Sequence, residues 1–322
     1  MPERGIEETK MDQNERDVLA VIDRIDDWKG KDIRYERVVG GITNPNWEVS
    51  VDGKKYFVKI PGKGTEAFID RKNCHQANLI AQNTGIGPAV FYFFEDTDVE
   101  VFEWIEGFKP MKFGDVLQKE KFYKMVDVIR KFHRYEEIRL PLTQTAFEQT
   151  FKMIRLTREL KGYISPEIDR MEWLAKRIEE AVMTAGIDYV PCHNDLWSAN
   201  YMWNDEKGDA KLLDYEYASM NDECYDFGIW SAVNYFTEAM DKELIRYYYG
   251  EHEEKKFARF KLYKILQDIK WAMWSCVQAV TSPVEDYDYF NWYGTKMARL
   301  KHFWADPRLD YWINLLKEAP IF

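Results

Sequence analysis

Two textures of hydrophobic patterning divide the chain. From Tyr35 to Ile60 the segments RYERVV, WEVSV and KYFVKI are rich in β-branched and aromatic residues, with Asp52-Gly53 between the last two. Asp-Gly flanked by β-formers predicts a hairpin, because a two-residue turn of that kind needs positive φ at its centre. Three strands are expected here. A helix follows from Thr65 to about Asn83, started at Thr65-Glu66 and stopped at Gly85, with Phe68, Leu79 and Ile80 on its apolar face. Ala89 to Phe94 and Val99 to Ile105, separated by the polar turn Glu95-Asp96-Thr97-Asp98, predict a second hairpin. The first part of the chain thus reads as a sheet with one helix.

Beyond Gly107 the pattern turns helical. Phe122, Met125, Ile129 and Phe132 recur at helical spacing, as do Ile168, Met171, Leu174, Ile178 and Val182. One stretch interrupts it: between Tyr189 and Tyr217, YVPC and AKLLDY are short apolar runs bounded by polar loops and read as strand, loop, strand. The expectation is an α+β chain with an N-terminal lobe over residues 1–104 and a mostly helical lobe over 105–322.

Composition narrows the class. Hydrophobic residues make up 46% and charged residues 31% of 322, the balance of a globular protein with a sizeable core. Against 45 Lys and Arg stand 56 Asp and Glu, a formal charge of −11, which argues against a nucleic-acid groove and gives no support to a membrane-surface role. Apolar runs such as Ala89 to Phe94 fall far short of the ~20 residues that span a bilayer. Cys74, Cys192, Cys224 and Cys276 are scattered with no Cys-x-x-Cys pair, so neither a zinc site nor a disulfide framework is indicated. The segment Met1 to Arg16 is acidic and polar, unlike a secretory signal. A cytoplasmic protein with reduced thiols is expected.

The candidate chemistry sits in the interrupting stretch. The loop His193-Asn194-Asp195-Leu196-Trp197-Ser198-Ala199-Asn200 is followed by a β-like run ending at Asp214 in LLDYE. The spacing from Asp195 to Asn200 is that of the protein-kinase catalytic loop, and that machinery next uses an Asp at the end of a following strand. Phosphoryl transfer needs a carboxylate to orient the incoming hydroxyl and oxygen ligands for Mg²⁺. Asp195 suits the first role, Asn200 and Asp214 the second. In the N-terminal half, Val39-Gly40-Gly41-Ile42-Thr43-Asn44 lies between two expected strands, where glycines let backbone N–H groups approach phosphates. Lys59 on the third strand is where a kinase-like fold reaches the α and β phosphates. Glu103-Trp104-Ile105 falls where the lobes join, in position for backbone contacts to adenine.

With those residues in view, the sequence resembles the choline/ethanolamine kinase family, especially its bacterial branch, within the wider aminoglycoside-phosphotransferase-like group. GGITNPNWEV is similar to that family's phosphate loop, FIDRKN to its first helix, FEWIEG to its lobe hinge, HNDLWSAN to its catalytic loop and LLDYEYASMNDECYDFG to its metal-binding segment. The resemblance implies a protein-kinase-like two-lobed fold, with ATP bound between the lobes and ATP- and Mg²⁺-dependent phosphorylation of a small alcohol. It makes Asp195 the catalytic base and gives Asn200 and Asp214 to Mg²⁺, assisted by Glu216. It assigns Gly40, Gly41, Thr43, Asn44, Lys59, Glu103 and Ile105 to the nucleotide, and gives supporting roles to His193 and Asp226.

Trp271-x-x-Trp274 resembles the family's choline-pocket segment, and side chains at i and i+3 share a helix face. With aromatic help from the stretch Tyr289 to Tyr293, they would wall a pocket that attracts a quaternary ammonium. Choline is the favoured acceptor, with ethanolamine, another amino alcohol or an aminoglycoside as rivals and a non-catalytic nucleotide-binding scaffold more distant. A homodimer is left open. Two positions depart from the family. Cys74 stands where a Glu usually pairs with the phosphate-contacting residue, here Lys59, so either Glu66 substitutes, or Lys59 is held differently, or activity is reduced. Val233 stands where eukaryotic choline kinases carry an acid facing the cationic substrate.

Overall fold

A computed structural model describes residues 12–38, 45–62, 69–160, 163–282 and 287–318. Contacts group the chain into two compact units, one of residues 1–75 with 88–106 and one of 76–87 with 107–322.

The first unit is built on an antiparallel sheet. Helix α1 (Gln13–Arg24) precedes strands β1 (Ile33–Val38), β2 (Asn46–Val51) and β3 (Lys54–Lys59), then strands β4 (Val90–Phe94) and β5 (Val99–Glu103); helix α2 (Arg71–Asn83) runs between β3 and β4, and its residues from Gln76 on group with the second unit. The strand order is β1-β2-β3-β5-β4. The Asp52-Gly53 hairpin forms as expected: φ is 50° at Asp52 and 82° at Gly53, and Val51 pairs with Lys54. Alternation puts Trp47, Val49 and Val51 of β2 on one face, where they pack with Val58, Val99 and Val101.

The cover for that face is α1, a second helix where the pattern predicts one. Its Val18, Val21 and Ile22, with Ile25 just beyond, repeat at helical spacing and seal the sheet together with Trp28, whose ring lies 5.0 Å from Tyr56. The polar text around these few apolar residues hid a helix whose stability comes from its buried stripe rather than from overall hydrophobicity. Helix α2 starts at Arg71 rather than Thr65, capped by Asp70, whose Oδ1 accepts from the Asn73 N–H at 3.0 Å. Phe68 and Glu66 lie outside the described residues; Ile80 is buried as expected, in company with Ala77 and Ala81.

The second unit carries strand β6 (Lys109–Pro110), helices α3 (Lys119–His133), α4 (Ala146–Glu159) and α5 (Ile168–Ala185), strands β7 (Tyr189–Cys192), β8 (Tyr201–Asn204), β9 (Asp209–Leu212) and β10 (Ser219–Asp222), and helices α6 (Glu223–Val233), α7 (Glu238–Tyr249), α8 (Glu254–Thr281), α9 (Tyr289–Trp304) and α10 (Leu309–Lys317). Strands β7 and β10 pair with each other, and β8 joins β6 to β9. The stretch expected as strand, loop, strand therefore holds three short strands in place of two, and β10 follows just beyond it. Among the described residues, no helix is long and apolar enough to cross a membrane.

Helix α8 is the axis of this unit, packed by α4, α6, α9 and α10. It is buried nearly all round although its sequence is rich in charge, because each ionic group meets a partner. Arg259 pairs with Asp222, Lys261 and Lys264 share Asp241 at 3.1 and 3.0 Å, Asp268 takes Arg299, and the Lys270 ammonium donates to Gln149 Oε1 at 2.6 Å. Buried charge is tolerated only when paired and hydrogen-bonded.

Helix α6 comes close to the α8 backbone at Gly228. A Cβ built there would lie 2.8 Å from the Lys264 backbone nitrogen and 2.9 Å from the Tyr263 carbonyl carbon. Backbone cannot rotate away as a side chain can. Gly228→Ala should therefore lower stability by about 1–3 kcal/mol, the usual cost of overpacking, with urea unfolding as the readout.

Candidate active site

The centre of the second unit is a loop held by one carboxylate. Strand β7 delivers the chain to His193, and Asp226, fully buried on the first turns of α6, accepts from the His193 N–H at 2.8 Å and the Asn194 N–H at 2.6 Å. His133 Nε2 lies 2.9 Å from the same carboxylate. The backbone turns sharply at Asn194, with φ 63°, and its side chain fastens the turn: the amide donates to Tyr217 O at 2.9 Å and to Ser219 Oγ at 2.8 Å, while Oδ1 accepts from Asn221. These bonds tie the loop to β10 and to the segment that follows Asp214.

His193 links the two halves of the site. Its Nδ1 accepts from the Asp195 N–H at 3.2 Å, which leaves Nε2 to carry the proton that it donates to Leu213 O at 2.9 Å. The Leu213 N–H donates to Asn200 O at 2.9 Å. Asp214, next in the chain, sits at φ 68°, a left-handed conformation uncommon for a residue with a Cβ and frequent at functional turns. Asp195, Asn200, Asp214 and Glu216, picked out on spacing and resemblance, are thus brought onto one scaffold. The Asn200 amide donates to Asp195 O at 2.9 Å, so its Oδ1 is the atom left for a cation.

Electrostatics mark Asp195 as the singular acid. Burial raises its pKa, the negative charges of Asp214 and Glu216 push it further, and the Lys270 ammonium and the Asn200 hydrogen bond oppose them. Carboxylates crowded in this way are the donor set that a hard divalent cation relieves. A second group of ligand-type atoms, His133, Cys192 and Asp226, also lies close together and fully buried. There, Asp226 is already committed to two backbone N–H groups and His133.

Aromatic rings continue from the acids. Tyr217 feels the charges of Asp195 and Glu216, is hydrogen-bonded to Trp274, and stacks edge-on to Trp271 with centroids 5.8 Å apart. Trp271 lies 5.4 Å from Trp274, which meets Tyr289 at 5.9 Å and Trp292 at 6.5 Å. Trp292 in turn lies 5.0 Å from Trp197 of the loop itself. Trp271, Trp274 and Tyr289 are thus linked by ring contacts through Trp274. Tyr293 parts from them, packing on Tyr163 and donating to Ser165 Oγ at 2.6 Å. Val233 is partly buried against the helical core.

Sequence reasoning missed Tyr217, Trp197, Trp292, Lys270 and Lys296. Tyr217 and Trp197 stood inside quoted motifs. The lysines carry no signal in one dimension, since a Lys on a helix is ordinarily solvated.

In the first unit, Lys59 ends β3 directly across from Glu100 of β5, and Tyr56 is paired with Glu103. Glu103 accepts from the Ala89 N–H at 3.3 Å, and Ile105 is half-buried just beyond β5. Gly40, Gly41, Thr43 and Asn44 lie outside the described residues. Cys74 is buried, 5% exposed, so a carboxylate in its place would be enclosed. Glu100, also buried and 2.9 Å from His75 Nδ1, is an acid facing the Lys59 position that the sequence did not single out.

The sequence matches the choline/ethanolamine kinase family profile over residues 35–260, most of the chain. The chain belongs to the choline/ethanolamine kinase family. Ethanolamine kinase 2 of Rattus norvegicus is 21% identical over 82% of this chain and 74% of its own. Among solved structures, a choline/ethanolamine kinase family protein from Mesorhizobium loti superposes with a TM-score of 0.81 at 22% identity, covering 95% of this chain and 100% of that one. Choline kinase LicA from Streptococcus pneumoniae gives 0.75 at 24%, covering 89% and 99%. The kinase therefore has the protein-kinase-like α+β fold and is a phosphotransferase acting on alcohol groups.

Asp226 is the kinase's most exacting position. Asparagine keeps the size but offers one oxygen where two are in use, so Asp226→Asn should leave a buried N–H facing an amide NH₂. A loss of about 1–3 kcal/mol in stability is expected, together with a fall in turnover larger than any change in ATP affinity. Thermal unfolding and steady-state kinetics on the same variant check both.

Proposed function

We propose that this kinase transfers the γ-phosphate of ATP to the hydroxyl of a small amino alcohol whose methylated ammonium lies on the Trp271–Trp274 wall, choline being the simplest such acceptor. The observation that carries this reading is the continuity from Asp195 through Tyr217 to the two tryptophans. Tyr217, which feels the Asp195 charge and meets Trp271 edge-on, supports a proton acceptor and a cation-attracting surface serving one small molecule. Asp195 orients the acceptor hydroxyl and takes its proton as that oxygen bonds to phosphorus; the bond to the departing ADP oxygen breaks. His193 and Asp226 hold the loop so that the carboxylate does not have to be ordered at each turnover.

Asn200, Asp214 and Glu216 offer an amide oxygen and carboxylates, hard donors that fit Mg²⁺. When bound, the ion supplies neutralisation of phosphate charge. The nucleotide contacts are assigned to the first unit, with Lys59 on the phosphates, helped by Gly40, Gly41, Thr43 and Asn44, and with Glu103 and Ile105 on adenine. Residues 1–104 act as the nucleotide-binding part and 105–322 as the catalytic and acceptor-binding part. Four buried, unbridged cysteines accord with a cytoplasmic enzyme.

Ethanolamine is the second reading, favoured by the ethanolamine kinases among the relatives. The aromatic wall speaks for the methylated ammonium: it has no N–H to donate and gains from ring faces, whereas a primary ammonium needs acceptors that Val233 does not supply.

A coupled ADP-release assay over a panel of amino alcohols tests the reading. Asp195→Asn should cut turnover ~10²–10⁴-fold with ATP binding retained; near-wild-type turnover would remove Asp195 from its role. Asp214→Ala should weaken ATP binding in the presence of Mg²⁺ and not in its absence, by calorimetry. Trp271→Ala or Trp274→Ala should raise the choline KM roughly tenfold and the ATP KM far less, and unchanged choline kinetics in both would return the pair to a packing role.

A further inference from the structure

Among the buried cations of the second unit, Lys296 stands apart. Arg259, Lys261, Lys264 and Lys270 each reach a carboxylate or an amide oxygen. Lys296, on α9 and only 2% exposed, has no hydrogen bond or ion pair among the described residues; its ammonium lies 4.1 Å from the centroid of the Trp292 ring. The Trp292 indole N–H is itself buried without an acceptor. Two donors are thus gathered with nothing to receive their protons. They sit beside the reacting groups: Trp292 touches Trp197 of the catalytic loop and Trp274 of the aromatic wall, and the charge of Asp195 reaches Lys296.

A buried ammonium favours an anion over any other occupant, and an indole N–H can only donate. Burial and the neighbouring Arg299 lower the Lys296 pKa to about 8, while Asp268 and Asp195 hold it up, so the group keeps its charge near neutrality. Asp268 acts on it only through its charge, its carboxylate already accepting from Arg299 and Gln267. Lys270 adds positive potential at the other end of the wall, 4.7 Å from the Trp271 ring and within charge reach of Asp195.

We propose that Lys296, with the Trp292 N–H, forms an anion subsite of the acceptor pocket, so that the acceptor is a zwitterionic amino alcohol bearing a carboxylate or comparable oxyanion as well as its ammonium. This rests on the reading of that pocket as the acceptor site. The ammonium lies on Trp274 and Tyr289, the anion meets Lys296, and the hydroxyl faces Asp195. Lys296 is then a specificity-determining residue that makes the pocket favour a methylated ammonium carrying a negative group over one without it.

Two non-reacting probes isolate the subsite: tetramethylammonium, and glycine betaine, which adds a carboxylate to the same headgroup. By calorimetry the wild-type enzyme should bind betaine at least tenfold more tightly. Lys296→Gln should abolish that preference and Lys296→Arg should keep it, with melting temperatures reported for each. In the kinetic arm, serine should exceed ethanolamine, and N,N,N-trimethylserine should exceed choline, in kcat/KM. Tighter binding of tetramethylammonium by the wild type, or a preference for betaine that survives Lys296→Gln, would overturn the proposal. If Lys296→Gln fails to fold, the wild-type order of the two probes decides. The underlying kinase reading fails separately: it falls if no alcohol gives ADP release that Asp195→Asn removes, an outcome the binding comparison does not depend on.

Discussion

The structure of the catalytic centre depends on one buried carboxylate and the two backbone N–H groups it accepts. Asp226 sits where water does not reach, and in such a place an ionised group persists only if every lone pair that matters is engaged. Its bonds to His193 and Asn194 set the conformation of the loop, and the rest follows in order. The turn at Asn194 aims Asp195, the His193 ring spans to Leu213, and Leu213 positions Asp214 beside the Asn200 backbone. The backbone around Asp195, Asn200 and Asp214 is thereby fixed by hydrogen bonds that run through Asp226, His193 and Leu213.

The same economy of pairing explains why a charged helix runs through the middle of the protein. Helix α8 carries cations and acids inward, and α7, α9 and β10 each present the counter-group, so these elements are keyed to one another by position as well as by shape. Gly228 lets α6 approach α8 closely. Lys270 and the Trp271–Trp274 pair ride on α8, and Asp226 on α6. The loop and the aromatic rings are thus held together both by the α6–α8 packing and by the contact of Trp197 with Trp292, an arrangement suited to preorganisation.

Much of this was legible in the sequence, for reasons that are physical. Asp52-Gly53 specifies its turn because of backbone sterics, and Asp195, Asn200 and Asp214 stand at the spacing of a kinase catalytic loop and the strand-end Asp that follows it. Helix α1 was missed because only a few apolar residues mark it among polar ones, and β8 because a four-residue strand inside a polar stretch has no periodicity to show. Tyr293 was grouped with Tyr289 on sequence proximity, yet the bond to Ser165 takes it elsewhere. Lys270, Lys296 and Glu100 were illegible for a different reason. Their significance lies in burial and in what faces them, and neither exists until the chain has folded.

The most direct measurement is ³¹P NMR of the reaction products, with ATP, Mg²⁺ and an amino-alcohol acceptor incubated with the enzyme. The account predicts a new phosphomonoester resonance coupled to the protons of the carbinol carbon, growing in step with ADP. Release of inorganic phosphate with no ester, or phosphorus bonded to the acceptor's nitrogen, would contradict it.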